Sequence, residues 1–191
     1  NVTILSALSE TSINGVNALA EELCKDYIAK SESANKNDLT ALFNIGYGLY
    51  VVTTNHGVKD NGLILNSVMQ ASNDTIVVSI NKENYSCDTV LNTKKMNVCP
   101  IDKNAKFGLF KHFGFQSGRD VDKFADKAYP TTENGLYYLP DYANAVISAK
   151  VIDAHDYGTH TLFIAEVTEA KVLNSDPSVT YAYYFEHIKP K

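Results

Sequence analysis

The sequence predicts a mainly β fold, a Greek-key-like antiparallel β-barrel with covering helices. Three observations predict it. Short runs rich in Val, Ile, Tyr, Phe and Thr recur between residues 49 and 187, Gly- and Asn-containing turns separate them, and the helical stretches among them are few and short. Strands at such short intervals pair antiparallel, since a parallel sheet needs a long crossover after each strand.

In order, Val2 to Leu8 reads as a short strand, and Ser9-Glu10-Thr11-Ser12 as a helix start. Ile13, Val16, Leu19, Ala20, Leu23 and Ile28 then recur near helical spacing. Ser31 to Asp38 is polar and reads as a linker. Leu39 to Ile45 is a short helix candidate. Gly46-Tyr47-Gly48 opens the strand Leu49 to Thr54, which Asn55-His56-Gly57 turns. Further β runs are expected over Leu63–Ala71, Thr75–Ile80 and Met96–Ile101, with a helix over Tyr85–Lys95 started by Asn84 or Ser86. Ala105–His112 is a helix candidate, and Pro130 and Asn134-Gly135 mark a loop and turn. Gly135–Leu139, Ala145–Ala154, Thr161–Leu173 and Thr180–His187 complete the expected strands.

A chain of 191 residues buries a sizeable core as one large domain, or as one domain with an appendage. With 17 Lys+Arg against 22 Asp+Glu the net charge is -5, which argues against a broad nucleic-acid footprint or attraction to an anionic membrane. An anionic ligand must be met by a local cluster. Cys24, Cys87 and Cys99 form no C-x-x-C pair of the kind that zinc and iron sites use. They read as reduced thiols of a cytoplasmic protein, with a Cys87–Cys99 disulfide left open. Asn1 to Leu8 lacks the basic flank and long apolar run of a signal peptide or membrane span. Because the chain opens on asparagine without methionine, it is expected to be a piece of something longer.

No nucleophile elbow, H-E-x-x-H, P-loop or G-x-G-x-x-G occurs, which argues against a Walker-type nucleotidase or a Rossmann dehydrogenase. Four stretches carry candidate chemistry. Phe113 to Phe124 holds Arg119, the single arginine among 17 basic residues. A planar, bidentate guanidinium suits a phosphate, or pairs with Asp120 or Asp122 in a surface turn. Asn66, Ser67 and Gln70 set amides and a hydroxyl among apolar residues, able to bond the edge of a flat heterocycle or simply neighbouring backbone. Asn81-Lys82-Glu83-Asn84-Tyr85 enters a helix whose free N–H groups and dipole favour an anion; a capped helix start with a solvated lysine explains it equally. His160, at the mouth of a strong strand, can donate to a ligand or satisfy a loop carbonyl. His56, His112, His155 and His187 read as surface residues.

Six ordered blocks carry a resemblance: Ile45 to Val52; Asn61-Gly62 with Asn66-Ser67 and Gln70; Asn81 to Tyr85; Phe113 to Phe124; Gly158 to Phe163; and Thr180 to Tyr184. From about Asp38 to Lys189 the chain resembles the flavin reductase-like, FMN-binding split-barrel family, in particular the flavoprotein domain of rubredoxin-fused and flavodiiron-associated members. The resemblance implies FMN held noncovalently at a homodimer interface, reduced by NADH or NADPH and reoxidised by a rubredoxin- or flavodiiron-type partner or by free flavin. It implies that Asn66, Ser67 and Gln70 lie near the flavin ring, Asn81, Lys82 and Asn84 near the phosphate, and that Ser117, Gly118 and Arg119 close the pocket. His160 would lie near the flavin and nicotinamide, although the family's Gly-Asp-His reads Gly158-Thr159-His160 here. Rubredoxin-fused relatives carry paired C-x-x-C motifs that are absent from this sequence. Residues 1–37 resemble the closing strand, helix and linker of an upstream flavodoxin-like domain, or supply a helix that packs on the barrel; residues 38–191 are the split-barrel domain.

Overall fold

The computed structural model describes residues 13–22, 24–25, 38–57, 59–125 and 128–191. The chain falls into two compact units, Asn1–Ile45 and Gly46–Lys191. In the first, residues 13–22 and 24–25 are helical, where the apolar spacing predicts a helix. Leu39–Asn44 is a 3-10 helix whose N-cap, Asp38, accepts a hydrogen bond from the Thr40 amide. The strand expected over Val2–Leu8, and all of the expected linker except Asp38, lie outside the described residues.

In the second unit seven strands form one sheet: β1 (Tyr50–Asn55), β2 (Asp60–Leu65), β3 (Val68–Gln70), β4 (Thr75–Asn81), β5 (Lys95–Pro100), β6 (Ala145–Asp156) and β7 (His160–Val172). Their order is β2-β1-β5-β6-β7-β4-β3, and every neighbouring pair is antiparallel. The two edge strands, β2 and β3, are consecutive in the chain, with Asn66 and Ser67 between them. Three Cα steps reach roughly 11 Å at most, whereas seven flat strands would set the edges roughly 29 Å apart. The sheet therefore curls into a barrel whose seam lies at Asn66-Ser67, and the predicted fold class holds.

Side chains sort by strand alternation. Alternate residues of β4, Ile76, Val78 and Ile80, are buried and meet Val52, Leu63, Met96, Val98 and Phe163 in one cluster, which Cys87 and Val90 of α1 (Tyr85–Thr93) complete. β1 and β5 are buried on both faces: Val51 and Cys99 face a second cluster, joined by Leu109, Phe110 and Phe113 of α2 (Phe107–Gly114). Gly62 permits this close packing, since a Cβ there would stand 2.8 Å from the Phe113 ring. Cys87 and Cys99 are buried free thiols in different clusters, and burial pushes the Cys99 thiol up to about 12.

Three expected strands differ. The run Leu63–Ala71 is two strands broken at the seam. Gly135–Leu139 is a loop with one isolated bridge, Thr131 to Tyr137; the buried Asn97 amide satisfies this loop by donating to Thr132 Oγ1 at 2.8 Å and to the Leu136 carbonyl at 3.0 Å, so no ladder is required. Thr180–His187 is helical: an α turn at Tyr181–Tyr183 runs into a π turn at Tyr184–Ile188. Its aromatic residues suit a strand by propensity, but Thr180 caps the Tyr183 amide at 3.2 Å. Rings four residues apart then meet, Tyr181 with Phe185 at 4.9 Å and Tyr183 with His187 at 4.4 Å, a pairing that a helix makes and a strand does not.

Candidate functional site

At the seam, Ser67 Oγ donates to the Ser79 carbonyl at 2.7 Å and the Ser79 amide returns a bond to the Ser67 carbonyl at 3.0 Å. The hydroxyl thus holds β3 to β4 where β2 leaves the sheet. Asn66 is half-buried, and no hydrogen bond occupies its amide. Gln70 lies further along β3, exposed, and donates to the Ser72 carbonyl.

The start of α1 is the second component. Asn81 Oδ1 accepts from the Glu83 amide at 2.8 Å, bending the chain out of β4. Asn84 is the N-cap, yet its side chain makes no cap bond, so the first amides of α1 keep free N–H groups. Arg119 docks on this corner. Its Nη1 donates to the Glu83 carbonyl at 3.0 Å, its Nη2 stands 3.7 Å from Asp88 Oδ2, and its guanidinium lies 5.6 Å from the Tyr85 ring centroid. The ion-pair partner is thus Asp88, not Asp120 or Asp122, because the turn folds toward α1. Ser117 Oγ accepts from the Arg119 amide at 3.1 Å and shapes that turn.

Lys82 points elsewhere: its ammonium pairs with Asp156 at 2.5 Å, and that hydrogen bond holds the Asp156 carboxyl below its usual range. His160 is placed opposite Asn81 by the β4–β7 register, with Nδ1 2.9 Å from Thr159 Oγ1. His112 is not a surface residue; it is half-buried with Nε2 2.7 Å from the Lys123 carbonyl oxygen.

Two cavities adjoin at Ile64, Gly114 and Phe115. One, of about 290 Å³, is polar: Asn84, Ser117 and Gly118 line it with Asn61, Ser86 and Lys123. The other, of about 350 Å³, is mostly apolar, lined by Leu49, Leu65, Phe110, Tyr181, Tyr184 and Phe185 together with Asn66. The fold therefore gathers Asn66, Asn84, Ser117 and Gly118 around one composite cleft. Ser67, Gln70, Asn81, Lys82, Arg119 and His160 line neither cavity.

Sequence reasoning missed Asn61 and Lys123 as site residues. Asn61, 2% exposed, donates through Nδ2 to Ser86 Oγ at 2.7 Å while its Oδ1 has no partner. Gly118 presses on that amide so closely that a Cβ would fall 2.2 Å from Oδ1. Lys123, 4% exposed, donates to the carbonyls of Gly62 at 2.7 Å and Phe113 at 3.0 Å, and burial pushes its ammonium down to about 8. The signal for Lys123 in the sequence is its place beside Phe124 in the arginine stretch, but a lysine next to Asp120 and Asp122 fits a solvated surface turn equally well.

A curled antiparallel barrel with a cleft at its seam is the flavin reductase architecture, and residues 42–190 match the flavin reductase like domain, so the chain belongs to that family of oxidoreductases. Among curated relatives it is similar to the high molecular weight rubredoxin of Moorella thermoacetica, 39% identical over 151 residues, 78% of this chain and 66% of that protein. The ferric-chelate reductase (NAD(P)H) of Archaeoglobus fulgidus is 35% identical over 149 residues, 77% of this chain and 88% of that protein. The solved structure of flavin reductase PheA2 in its native state superposes with a TM-score of 0.64 at 28% identity, covering 75% of this chain and 92% of that one.

Proposed function

We propose that this protein is an FMN-dependent NAD(P)H oxidoreductase that passes electrons to a redox partner of rubredoxin or flavodiiron type, or to free flavin. The observation that carries the reading is the composite cleft at the seam, in which an apolar compartment and a polar one meet at Ile64, Gly114 and Phe115. An amphipathic ring with a charged tail needs both. Each compartment lies near the lower end of the size range of a ligand pocket, so ring and phosphate divide between them. The orphaned Asn61 Oδ1 and the Gly118 cradle are features that a ligand in the polar compartment would use.

Bound there, FMN supplies the hydride and electron chemistry. The chain binds and orients it: Asn66 offers its free amide to the ring edge, and Ser67 and Gln70 support β3 beside it. Asn84, Ser117 and Gly118 surround the phosphate side; Asn81 shapes the turn that leads into it, Arg119 braces that turn from outside, and Lys82 is held away by Asp156. His160 sits toward the nicotinamide. The protein acts as a cytoplasmic homodimer, residues 38–191 form the flavin domain, and residues 1–37 are an extension of it. Among the described residues, no helix is long and apolar enough to cross a membrane.

One observation favours a second reading, an FMN-binding electron relay with no NAD(P)H site: His160 lines neither cavity. Anaerobic addition of NADH or NADPH to the purified yellow protein separates the two. Bleaching of the flavin absorbance supports the reductase, bound flavin that stays oxidised supports the relay, and a colourless protein that takes up no FMN overturns both.

A further inference from the structure

The segments around the mouth of the apolar compartment carry a charge opposite to that of the chain. Residues 103–115 and 176–191 hold five lysines, Lys103, Lys106, Lys111, Lys189 and Lys191, against two acids, Asp176 and Glu186, whereas the chain as a whole has a net charge of -5. All five lysines are exposed, and none of them forms an ion pair among the described residues. The two acids are partly occupied: Asp176 accepts from Asn104 Nδ2 at 2.6 Å, and Glu186 stands 3.5 Å from His187.

The two segments are held together. The Phe110 and Tyr184 rings meet at 4.5 Å, and the Lys103 amide donates to the Pro177 carbonyl at 3.0 Å. The Lys103 ammonium lies 4.6 Å from the centroid of the Tyr183 ring, and the Lys189 ammonium lies 4.6 Å from that of Phe185. An ammonium over a ring face is held in position while keeping its charge. Lys189 lines the apolar compartment, as do Tyr181, Phe185 and Phe115, and these three aromatic residues are 39%, 48% and 66% exposed. An apolar, aromatic centre with a charged margin is the anatomy of a protein interface. A few unpaired lysines on an otherwise acidic chain raise the rate of encounter and orient the partner more than they tighten binding. Electron transfer between proteins uses small, transient contacts of that kind.

We propose that this face is the docking surface for an acidic electron-carrier protein, which the lysines orient with its redox centre toward the apolar compartment. That the compartment supplies the electrons rests on the flavin reading; the charge and shape of the surface do not.

Photoreduced, FMN-loaded protein is mixed anaerobically with an acidic rubredoxin in its ferric form. Two rubredoxin molecules take one electron each as one reduced flavin is oxidised and its protons pass to solvent. The wild type is compared with Lys103→Glu/Lys106→Glu and with Lys94→Glu/Lys150→Glu, which makes the same change in net charge at exposed lysines outside both segments. p-Benzoquinone, small and neutral, is expected to reoxidise all three proteins alike. The wild-type rate with rubredoxin is expected to fall as salt is raised, and at low salt to be about tenfold lower in the first variant and little changed in the second. Equal slowing in both variants traces the effect to net charge and overturns the proposal. Equal rates in all three proteins overturn it too: loss of self-association in the first variant then gives the face to a second copy of this chain, and loss of binding to phosphatidylglycerol vesicles gives it to a membrane. Fluorescence anisotropy of labelled rubredoxin needs no flavin. If the protein takes up no FMN but binds rubredoxin, and the first variant alone binds it about tenfold more weakly, the docking surface stands and the flavin reading falls.

Discussion

Arg119 donates through Nη1 to the carbonyl oxygen of Glu83 at 3.0 Å, tying the turn after α2 to the first turn of α1. The two segments are 36 positions apart in the chain and form opposite walls of the polar cavity. The arginine thus acts first as a strut.

Arg119→Ala is expected to cost stability by only about 1 kcal/mol, since the side chain is half exposed and its pair with Asp88 is long. FMN affinity should drop by about tenfold as the cavity walls loosen. Arg119→Lys should restore little of it, because one ammonium cannot serve Glu83, Asp88 and Tyr85 together. Urea unfolding and flavin fluorescence titration measure the two effects.

Gly62→Ala and Gly118→Ala should differ in kind. At Gly62 the added methyl meets the Phe113 ring at 2.8 Å in the core, an overpacking that costs about 1–3 kcal/mol and lowers the melting temperature. At Gly118 it meets the Asn61 amide at 2.2 Å on the cavity wall, so flavin retention on gel filtration should be lost as well.

The Ser67 hydroxyl is committed to the Ser79 carbonyl at 2.7 Å. Ser67→Ala should destabilise by about 1 kcal/mol and increase amide hydrogen exchange in β3, without changing the flavin spectrum. Asn66→Ala should do the reverse, shifting the flavin absorbance or potential with little loss of stability.

Lys123 gives a signed pH dependence. Burial depresses its ammonium in the folded state to about 8, from 10.5, so between these values the unfolded chain binds more protons. Stability from this group therefore increases as pH rises through that window, by at most about 1.4 kcal/mol per pH unit. Below pH 8 both states hold the proton and the contribution is flat. Urea unfolding at pH 7 to 10 should show this rise in the wild type relative to Lys123→Met.

The antiparallel barrel is legible in residue order, because the alternation of apolar Ile76, Val78 and Ile80 in β4 and the turn at Asn55-His56-Gly57 are local features. Residue order also marked both segments that form the polar cavity, since free amides at a helix start and a lone arginine can be read from it. It did not reveal the break at Asn66-Ser67, where an apolar run continues across the point at which the sheet closes. Nor did it reveal the helical Tyr181–Ile188 segment, where capping by Thr180 and packing of Tyr184 against Phe110 at 4.5 Å override strand propensity. Which charges are paired with acids and which are not is set by packing between distant segments. Lys82 and Arg119 meet acids brought from distant strands and helices, while the hydrogen bonds of Lys123 to Gly62 and Phe113 draw it into the interior. Burial of a charge is set by what packs over it, and those residues lie on other elements of the barrel.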